Sequence, residues 1–449
     1  MADATARHDP YQDKLDSLTD ADLAAILAEL RRRLKAPEIA AAHTCIRCGL
    51  CADACHYYLT NGELEDVPAH KLNLVLGVIK HHFLPGGRRA GGWVGARKLD
   101  KAVVREWVDA LFGRCSGCGR CTVNCTSGIN IHGLIRAARG ALAAAGLVPP
   151  ELQSTVMTAV EQGNNMGIPR DEWLETVDWI QDELRAETGD PGARIPVDEK
   201  GARLLYTVNP REPKFFPLSL LAAAKLFHAA GESWTFSSDR YDVTNYGLYS
   251  GDDSCAGLLS GRLVQAREDL GAEVLVLGEC GHGFASTRWE APQWLNRRFG
   301  FPVKSVLEVA AEYVRQGRVR LDPSKNKKPL TLHDPCNLVR LGGVVEEQRY
   351  LLENAVEDFR EMTPNRRNNY CCGGGGGQLA MTRFAKRRLA AGRLKAEQIR
   401  ATGAMVVVAP CHNCIDQLTE LGKEYGLGTE VKTVIEIVAD ALVLPRKNA

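Results

Sequence analysis

The chain has 449 residues, 45% of them apolar and 25% charged, and a formal net charge of +1. That length implies two to four domains with real cores, and the balanced charge gives no electrostatic case for nucleic acid as a partner. No apolar run reaches the length of a membrane span (Leu72–Ile79 and Leu218–Phe227 are both too short), and no basic-then-apolar leader opens the chain.

The first sixteen residues are polar and expected to be loose. Thr19 and Asp22 then form a capping box, followed by Leu23, Ile26, Leu27, Leu30 and Leu34 at helical spacing. Arg31, Arg32, Arg33 and Lys35 close this helix, where cations suit the dipole. It either packs on its own domain or docks a partner subunit.

The fifteen cysteines are unevenly spread. Without an export signal they read as metal ligands in the cytoplasm, not as a disulfide framework. Cys45-x-x-Cys48-x-x-Cys51-x-x-x-Cys55 and Cys115-x-x-Cys118-x-x-Cys121-x-x-x-Cys125 share the bacterial ferredoxin spacing. In that pattern three thiolates wrap one cubane and the fourth crosses to the other. One [4Fe–4S] cluster is therefore assigned to Cys45, Cys48, Cys51 and Cys125, and a second to Cys115, Cys118, Cys121 and Cys55. Zinc also uses C-x-x-C pairs, but two complete copies with crossing cysteines argue against it. The proline that usually follows the fourth cysteine is replaced by His56 and Thr126. A long insert, His56 to Arg114, carries His81-His82 and a basic loop over 85–92 expected to be flexible. Ile129–Leu142 reads as the helix closing this module.

Residues 149–200 are acidic and helical in pattern, with Trp173 and Trp179 expected to pack; Gly189-Asp190-Pro191-Gly192 breaks the run. Two similar halves follow. Leu204 to Pro210 matches Leu330 to Pro335, each a strand ending in a Pro turn. Ser254-Cys255-Ala256-Gly257 matches Cys371-Cys372-Gly373-Gly374, and the strands at 274–277 and 405–409 end in Cys280-Gly281-His282-Gly283 and Cys411-His412-Asn413-Cys414. This is a duplicated α/β unit with parallel strands, its cysteines lying in loops beyond strand ends. The second copy has five cysteines, Cys336, Cys371, Cys372, Cys411 and Cys414. The first keeps Cys255 and Cys280, with Arg211, Ser254 and Gly283 near the remaining ligand positions, so one cluster is expected from the pair.

A cubane needs four thiolates, so five suggest an unusual iron–sulfur geometry or a ligand that yields to incoming sulfur. Gly373, Gly374, Gly375 and the glycines after them are expected to make room there. Gln378–Ile399 reads as one long basic helix aiming its N-terminus at the cluster. A phosphate loop is the alternative, but no Gly-Lys-Ser/Thr follows and no strand leads in, and neither nucleotide nor flavin is expected.

Cys336…Cys371-Cys372-Gly373…Cys411-x-x-Cys414, behind two ferredoxin motifs, resembles the CCG domains of heterodisulfide reductase catalytic subunits. From about Thr44 onward the layout is HdrD-like, and the degenerate first copy with Asn368 to Gly373 is most similar to the DsrK branch of DsrMKJOP complexes. The resemblance implies an α+β multidomain chain: an N-terminal helical extension (1–40), a helical dicluster ferredoxin domain (41–148), a helical linker (149–200), a degenerate CCG domain (201–325) and a complete one (326–449). It implies two cubane clusters relaying electrons from a DsrM-like membrane cytochrome b, alongside other Dsr subunits, to a noncubane [4Fe–4S] cluster on the five cysteines. There a disulfide or trisulfide, carried by a DsrC-like protein, would be cleaved or, in reverse, formed. The chain would then sit peripherally on the inner face of the cytoplasmic membrane through a partner. His333, Asp334 and His412 flank the ligands and fit either proton supply or hydrogen bonding to them. The competing expectation is an electron-carrying subunit of a flavin dehydrogenase for glycolate, lactate or glycerol 3-phosphate.

Overall fold

A computed structural model of the chain describes residues 9–444. Part of the stretch expected to be loose is helix α1 (Pro10–Asp16), capped by Asp9, with Tyr11 and Leu15 turned into the core; residues 1–8 lie outside the described residues. Helix α2 (Asp20–Arg33) begins at the capping box, where the Thr19 hydroxyl accepts from the Asp22 N–H at 3.2 Å and the Asp22 carboxylate accepts from the Thr19 N–H at 2.8 Å. Its buried residues, Ile26 and Leu30, face its own domain. With α3 (Pro68–Phe83) it packs on α4 (Ile131–Ala144), around a core holding Trp107, Phe112, Leu134 and Leu142.

The segment between the two modules divides. Helix α5 (Pro150–Gln162) gives Leu152 and Val156 to the ferredoxin-side core. Helix α6 (Arg170–Thr188) gives Trp173, Val177, Ile180 and Leu184 to the α/β core, and Trp173 stacks on Tyr241 with ring centroids 4.2 Å apart. Trp179 does not pack as expected: it lies off this i, i+4, i+7 stripe and is 46% exposed.

Strands β1 (Leu204–Thr207), β2 (Trp234–Thr235), β3 (Val274–Leu277) and β4 (Val303–Ser305) form a parallel sheet of order β2-β1-β3-β4. Strands β5 (Leu330–Leu332), β6 (Phe359–Arg360), β7 (Val406–Val408) and β8 (Glu430–Lys432) repeat it as β6-β5-β7-β8. The inner strands are apolar on both faces because helices cover both. In the first unit these are α7 (Pro217–Ala229), α8 (Asp253–Leu270) and α9 (Val306–Arg315). In the second they are α10 (Glu347–Ala355), α11 (Arg393–Thr402), α12 (His412–Glu424) and α13 (Val434–Ala441). The units join crosswise, α7 on α13 and α9 on α10, so one apolar core runs through both. Ser305 and Thr433 cap α9 and α13 with matching capping boxes, which fixes the pairing of the two copies. The mixed architecture expected from the sequence is present, with helices first and two small parallel sheets after them.

The expected helix from Gln378 to Ile399 is broken. Turns run to Met381, a 3-10 turn covers Thr382–Phe384, and a short helix, Ala385–Ala391, ends at Gly392 before α11. Gln378 causes the first break by burying its amide, which donates to the Phe112 carbonyl. Gly392 packs against Leu421 too closely for a side chain, which explains the second interruption. The basic loop over 85–92 is also more ordered than expected, with a short helix Gly87–Ala90 and a 3-10 turn Gly91–Val94. No helix among the described residues is long and apolar enough to cross a membrane.

Candidate metal centres

Thirteen of the fifteen cysteines gather in three places, and all fifteen are free thiols. The first loop bends through left-handed Arg47 (φ 56°) and Gly49 (φ 80°), so that Cys45, Cys48 and Cys51 ring one cavity. Cys125 closes that cavity from the far motif, over a floor of Leu72, Ile129 and Ile131. Cys48 is exposed, so this cavity lies at the protein surface. Cys115, Cys118 and Cys121 ring the second cavity, and Cys55 crosses over to it. Left-handed Gly117 and Gly119 turn this second loop (φ 60° and 72°).

Burial pushes the thiols of Cys55 and Cys121 up, against the pull of the nearby Lys71 ammonium. Thiols packed this closely suit a polycationic iron–sulfur core, which binds thiolates and offsets their desolvation. The donor set in each cavity fits that group.

The third set is wholly buried. Cys336 follows the Pro turn after β5, Cys371 and Cys372 sit in a loop, and Cys411 is the N-cap of α12 with Cys414 in its first turn. The Cys372 and Cys414 sulfurs are 3.5 Å apart, and with a His333 ring nitrogen these atoms lie within 4.8 Å of one another. Hydrogen bonds from Cys118 and Cys336 hold the Cys371 thiol down at about 7, and one from Cys414 holds Cys411 at about 7. Cys118 of the second ferredoxin set packs against the buried cluster that holds the five cysteines.

Two arginines lock that contact. Arg139, buried on α4, donates to the carbonyls of Leu111 (2.7 and 3.1 Å), Cys115 (2.8 Å), Tyr249 (2.8 Å) and Gly376 (2.9 Å), joining the ferredoxin module to both α/β units. Arg340 donates to the Cys118 carbonyl at 2.8 Å and to the carbonyls of Arg367 (2.6 Å) and Asn369. Gly374, Gly376 and Gly377 serve close packing, while a Cβ on Gly375 would lie 3.7 Å from Cys336 Sγ, at the five-cysteine site. A Cβ on Gly376 would stand 2.5 Å from the Ser116 carbonyl carbon, and one on Gly374 2.9 Å from the Gln417 Cβ. On Gly377 it would come within 2.9 Å of Leu152.

The turn holding Cys336 is pinned from below. The Asp334 carboxylate accepts two bonds from Arg349, both 2.8 Å, and its carbonyl accepts from Asn369 Nδ2 at 2.8 Å. Burial pushes His333 down to about 3 and His412 down to about 4, so both rings are neutral at ordinary pH and suit hydrogen bonding better than proton supply. Apart from the cysteines, a cation that titrates near neutrality lies here and carries no signal in the motifs. Lys395 is buried on α11, and its Nζ donates to Asn369 Oδ1 at 2.6 Å. Burial pushes it down to about 7, against the attraction of Asp334, Cys372 and Cys371. Asn369 Nδ2 in turn lies 3.3 Å from His333 Nδ1. A signal existed: Lys395 shares a helix face with Ile399, four residues on, where a core residue belongs.

In the first unit, the strand and cap registers put Arg211 where Cys336 stands, Cys280 where Cys411 stands and Gly283 where Cys414 stands. Arg211 Nε pairs with Asp416 Oδ2 at 2.5 Å. Cys280 Sγ lies 3.4 Å from His282 Nδ1, and that ring packs between Tyr246 and Tyr249. Cys255 is elsewhere, in the first turn of α8 beside Asp252 and against the ferredoxin-side core.

The profile of 4Fe-4S dicluster domains matches residues 41–129, and that of cysteine-rich CCG domains matches residues 330–419. The chain resembles Hdr-like iron–sulfur subunits along most of its length. It is 28% identical over 445 residues to the Hdr-like menaquinol oxidoreductase iron-sulfur subunit of Archaeoglobus profundus, covering 89% of this chain and 79% of that one. A second protein of the same kind, from Archaeoglobus fulgidus, is 28% identical over 447 residues, with the same coverage. A component of the dihydromethanophenazine:CoB–CoM heterodisulfide reductase of Methanosarcina mazei is 25% identical over 428 residues, covering 93% of this chain and 98% of that one. These likenesses support an iron–sulfur oxidoreductase subunit with an electron-transfer role.

Proposed function

We propose that this chain is the DsrK-type iron–sulfur subunit of a membrane quinone-linked complex, and that it reduces, or in reverse forms, a sulfur–sulfur bond at the five-cysteine site. The observation that carries the reading is the packing of Cys118 against the buried cluster that holds the five cysteines, which joins the second ferredoxin cavity to that cluster. In this reading Cys45, Cys48, Cys51 and Cys125 hold one cubane cluster, Cys115, Cys118, Cys121 and Cys55 the other. Cys336, Cys371, Cys372, Cys411 and Cys414 hold a noncubane [4Fe–4S] cluster. Electrons arrive from a DsrM-like cytochrome b that oxidises quinol, and the substrate is a disulfide or trisulfide on a DsrC-like carrier.

Held by those five cysteines, a noncubane cluster would supply the electrons and the sulfur affinity. The protein's own groups do the rest. Cleaving one S–S bond takes two electrons and two protons, and yields two thiols. Lys395 holds a proton near neutrality beside Asn369 and the Cys371–Cys372 pair, so it supplies one of the two, and the second is taken from solvent when the product thiolate leaves the buried site. A ring nitrogen of neutral His333 lies within 4.8 Å of the Cys372 and Cys414 sulfurs, Asn369 links that ring to Lys395, and Arg349 with Asp334 fixes the Cys336 turn. Buried surroundings exclude water from the reacting sulfurs.

The test uses the anaerobically purified chain. Adding a disulfide or trisulfide substrate should alter the EPR spectrum of the oxidised five-cysteine site and reoxidise the reduced protein. An unchanged spectrum with no reoxidation would sink the sulfur reading and leave the electron carrier of a flavin dehydrogenase in its place.

A further inference from the structure

The insert between the two ferredoxin motifs has a charge pattern that the reaction does not use. From Pro68 to Leu99 there are six lysines and arginines and no aspartate or glutamate, in a chain whose net charge is only +1. The loop from His43 to Ala52 likewise has no acid. The structure brings these two stretches together. The Arg47 guanidinium lies against Gly95, and Lys80 Nζ donates to the Val94 carbonyl at 3.0 Å while sitting near Arg47 and Cys45. Arg88 and Lys98 both face His82, whose ring accepts from the Leu99 N–H at 3.1 Å.

On this face the apolar side chains point outward. Trp93 is 100% exposed at the tip of the Gly91–Val94 turn, and Ile46 and Leu50 are 73% and 49% exposed in the cysteine loop. Arg47, Arg88, Arg89 and Lys98 are exposed around them and have no acidic partner among the described residues. A turn that spends no side chain on the core while presenting tryptophan inside a ring of cations is built to touch something both apolar and anionic. Tryptophan favours the boundary between lipid headgroups and acyl chains, and clustered lysine and arginine favour anionic headgroups.

The geometry points to this face as a lipid contact: residues 43–50 and 88–98 lie directly on an anionic phospholipid bilayer, with Trp93 inserted at the headgroup boundary. Exposed Cys48 belongs to the same face, so the contact turns the first cysteine cavity toward the membrane, where electrons from quinol arrive. A protein partner is the competing occupant. Its docking face would need to match a single protruding tryptophan, whereas a bilayer accepts one anywhere. The inference does not depend on what happens at the five-cysteine site.

The anaerobic full chain, with its clusters, is sedimented with vesicles of phosphatidylcholine alone or mixed with phosphatidylglycerol. Binding is expected only to the mixed vesicles and should weaken with salt. Trp93→Ala should weaken it about ten-fold or more, the worth of withdrawing one aromatic side chain from an apolar phase. Arg88→Ala with Arg89→Ala should weaken it by about five-fold per arginine. Trp93 makes no packing contact to lose, so its variant should keep the parent's EPR signals. Lys327→Ala with Lys423→Ala removes the same charge elsewhere and should change little. No binding to mixed vesicles at low salt, equal binding to both kinds, or equal loss in the charge-matched control overturns the proposal. So does a Trp93→Ala protein that binds as the parent does.

Discussion

Arg139 is where the three modules meet, and replacing it tests whether that junction carries the electrons. Arg139→Met keeps similar bulk but removes every donor to the Leu111, Cys115, Tyr249 and Gly376 carbonyls. Each such bond to a charged group contributes about 1.5–3 kcal/mol, but the variant also avoids the cost of burying the guanidinium. The net loss should be about 3–5 kcal/mol, because four buried carbonyls lose their donor at about 1–3 kcal/mol each and the relieved guanidinium burial offsets part of that. The lower figure is about two orders of magnitude in the folded-to-unfolded ratio. Guanidinium unfolding followed by circular dichroism reads this as a lower midpoint. Freeze-quench EPR should show all three clusters assembled, but electron passage from the ferredoxin module to the five-cysteine site slowed at least about ten-fold. Arg139→Lys should rescue neither, because one ammonium on a flexible stem cannot span four carbonyls from three modules. A Met variant with the parent's midpoint and transfer rate would refute the junction.

Three further outcomes follow from named groups. Cys125→Ser should weaken the same EPR signal as Cys45→Ser, and Cys55→Ser the same signal as Cys115→Ser; loss of the opposite partner's signal would overturn the crossed assignment. Lys395 falls from 10.5 to about 7 on folding, so its charge opposes folding at and below neutral pH, and stability rises as pH climbs from about 7 toward the unfolded value. Lys395→Met should therefore be more stable than the parent at pH 7, by a margin that vanishes near pH 10, while substrate reoxidation slows; a less stable variant at pH 7 contradicts this. Burial pushes Asp334 up, but Arg349 outweighs it and holds the carboxyl below the usual range. Its stabilisation is thus complete above the unfolded pKa, about 3.9, and is lost as pH falls through the folded one. Asp334→Asn should cost about 3 kcal/mol near neutrality, with the gap to the parent closing on acidification.

The two ferredoxin sets were legible because each loop carries four cysteines within eleven residues, and left-handed Gly49, Gly117 and Gly119 supply the turns. The duplication was legible in the buried strands, whose apolar runs have no other use in a soluble layer. What the sequence hid depends on long-range partners. Nothing near Gln378 reveals that Phe112, in another module, takes its amide, so helical spacing through Ile399 looked uninterrupted. The glycine run suggested space for a ligand, but at Gly374, Gly376 and Gly377 the neighbours Gln417, Ser116 and Leu152 fill it. Cys118 reaches the five-cysteine cluster where Arg139 and Arg340 collect carbonyls from segments more than two hundred residues apart.

The first unit shares the fold of the second without its full set of cysteines, and side chains near the corresponding positions support the other half. Glu279 accepts from the Val434 N–H at 2.9 Å and the Ile435 N–H at 3.3 Å, so it caps α13 of the second unit. Tyr246 donates to Asn413 Oδ1 at 3.2 Å, and Tyr249 accepts from Asn337 at 2.8 Å, both beside ligand cysteines. Restoring the missing thiols should therefore fail. A side chain at Gly283 would overlap the Val243 carbonyl oxygen, and backbone there cannot swing aside as a side chain would. Arg211→Cys would strip Asp416 of its ion-pair partner, leaving a mostly buried carboxylate to protonate or take up water. Arg211→Cys with Gly283→Cys should give a less stable protein with the parent's iron content and no new EPR signal. A fourth cluster in that variant would show that the first unit still has room for one, and that its present side chains are passengers and not supports.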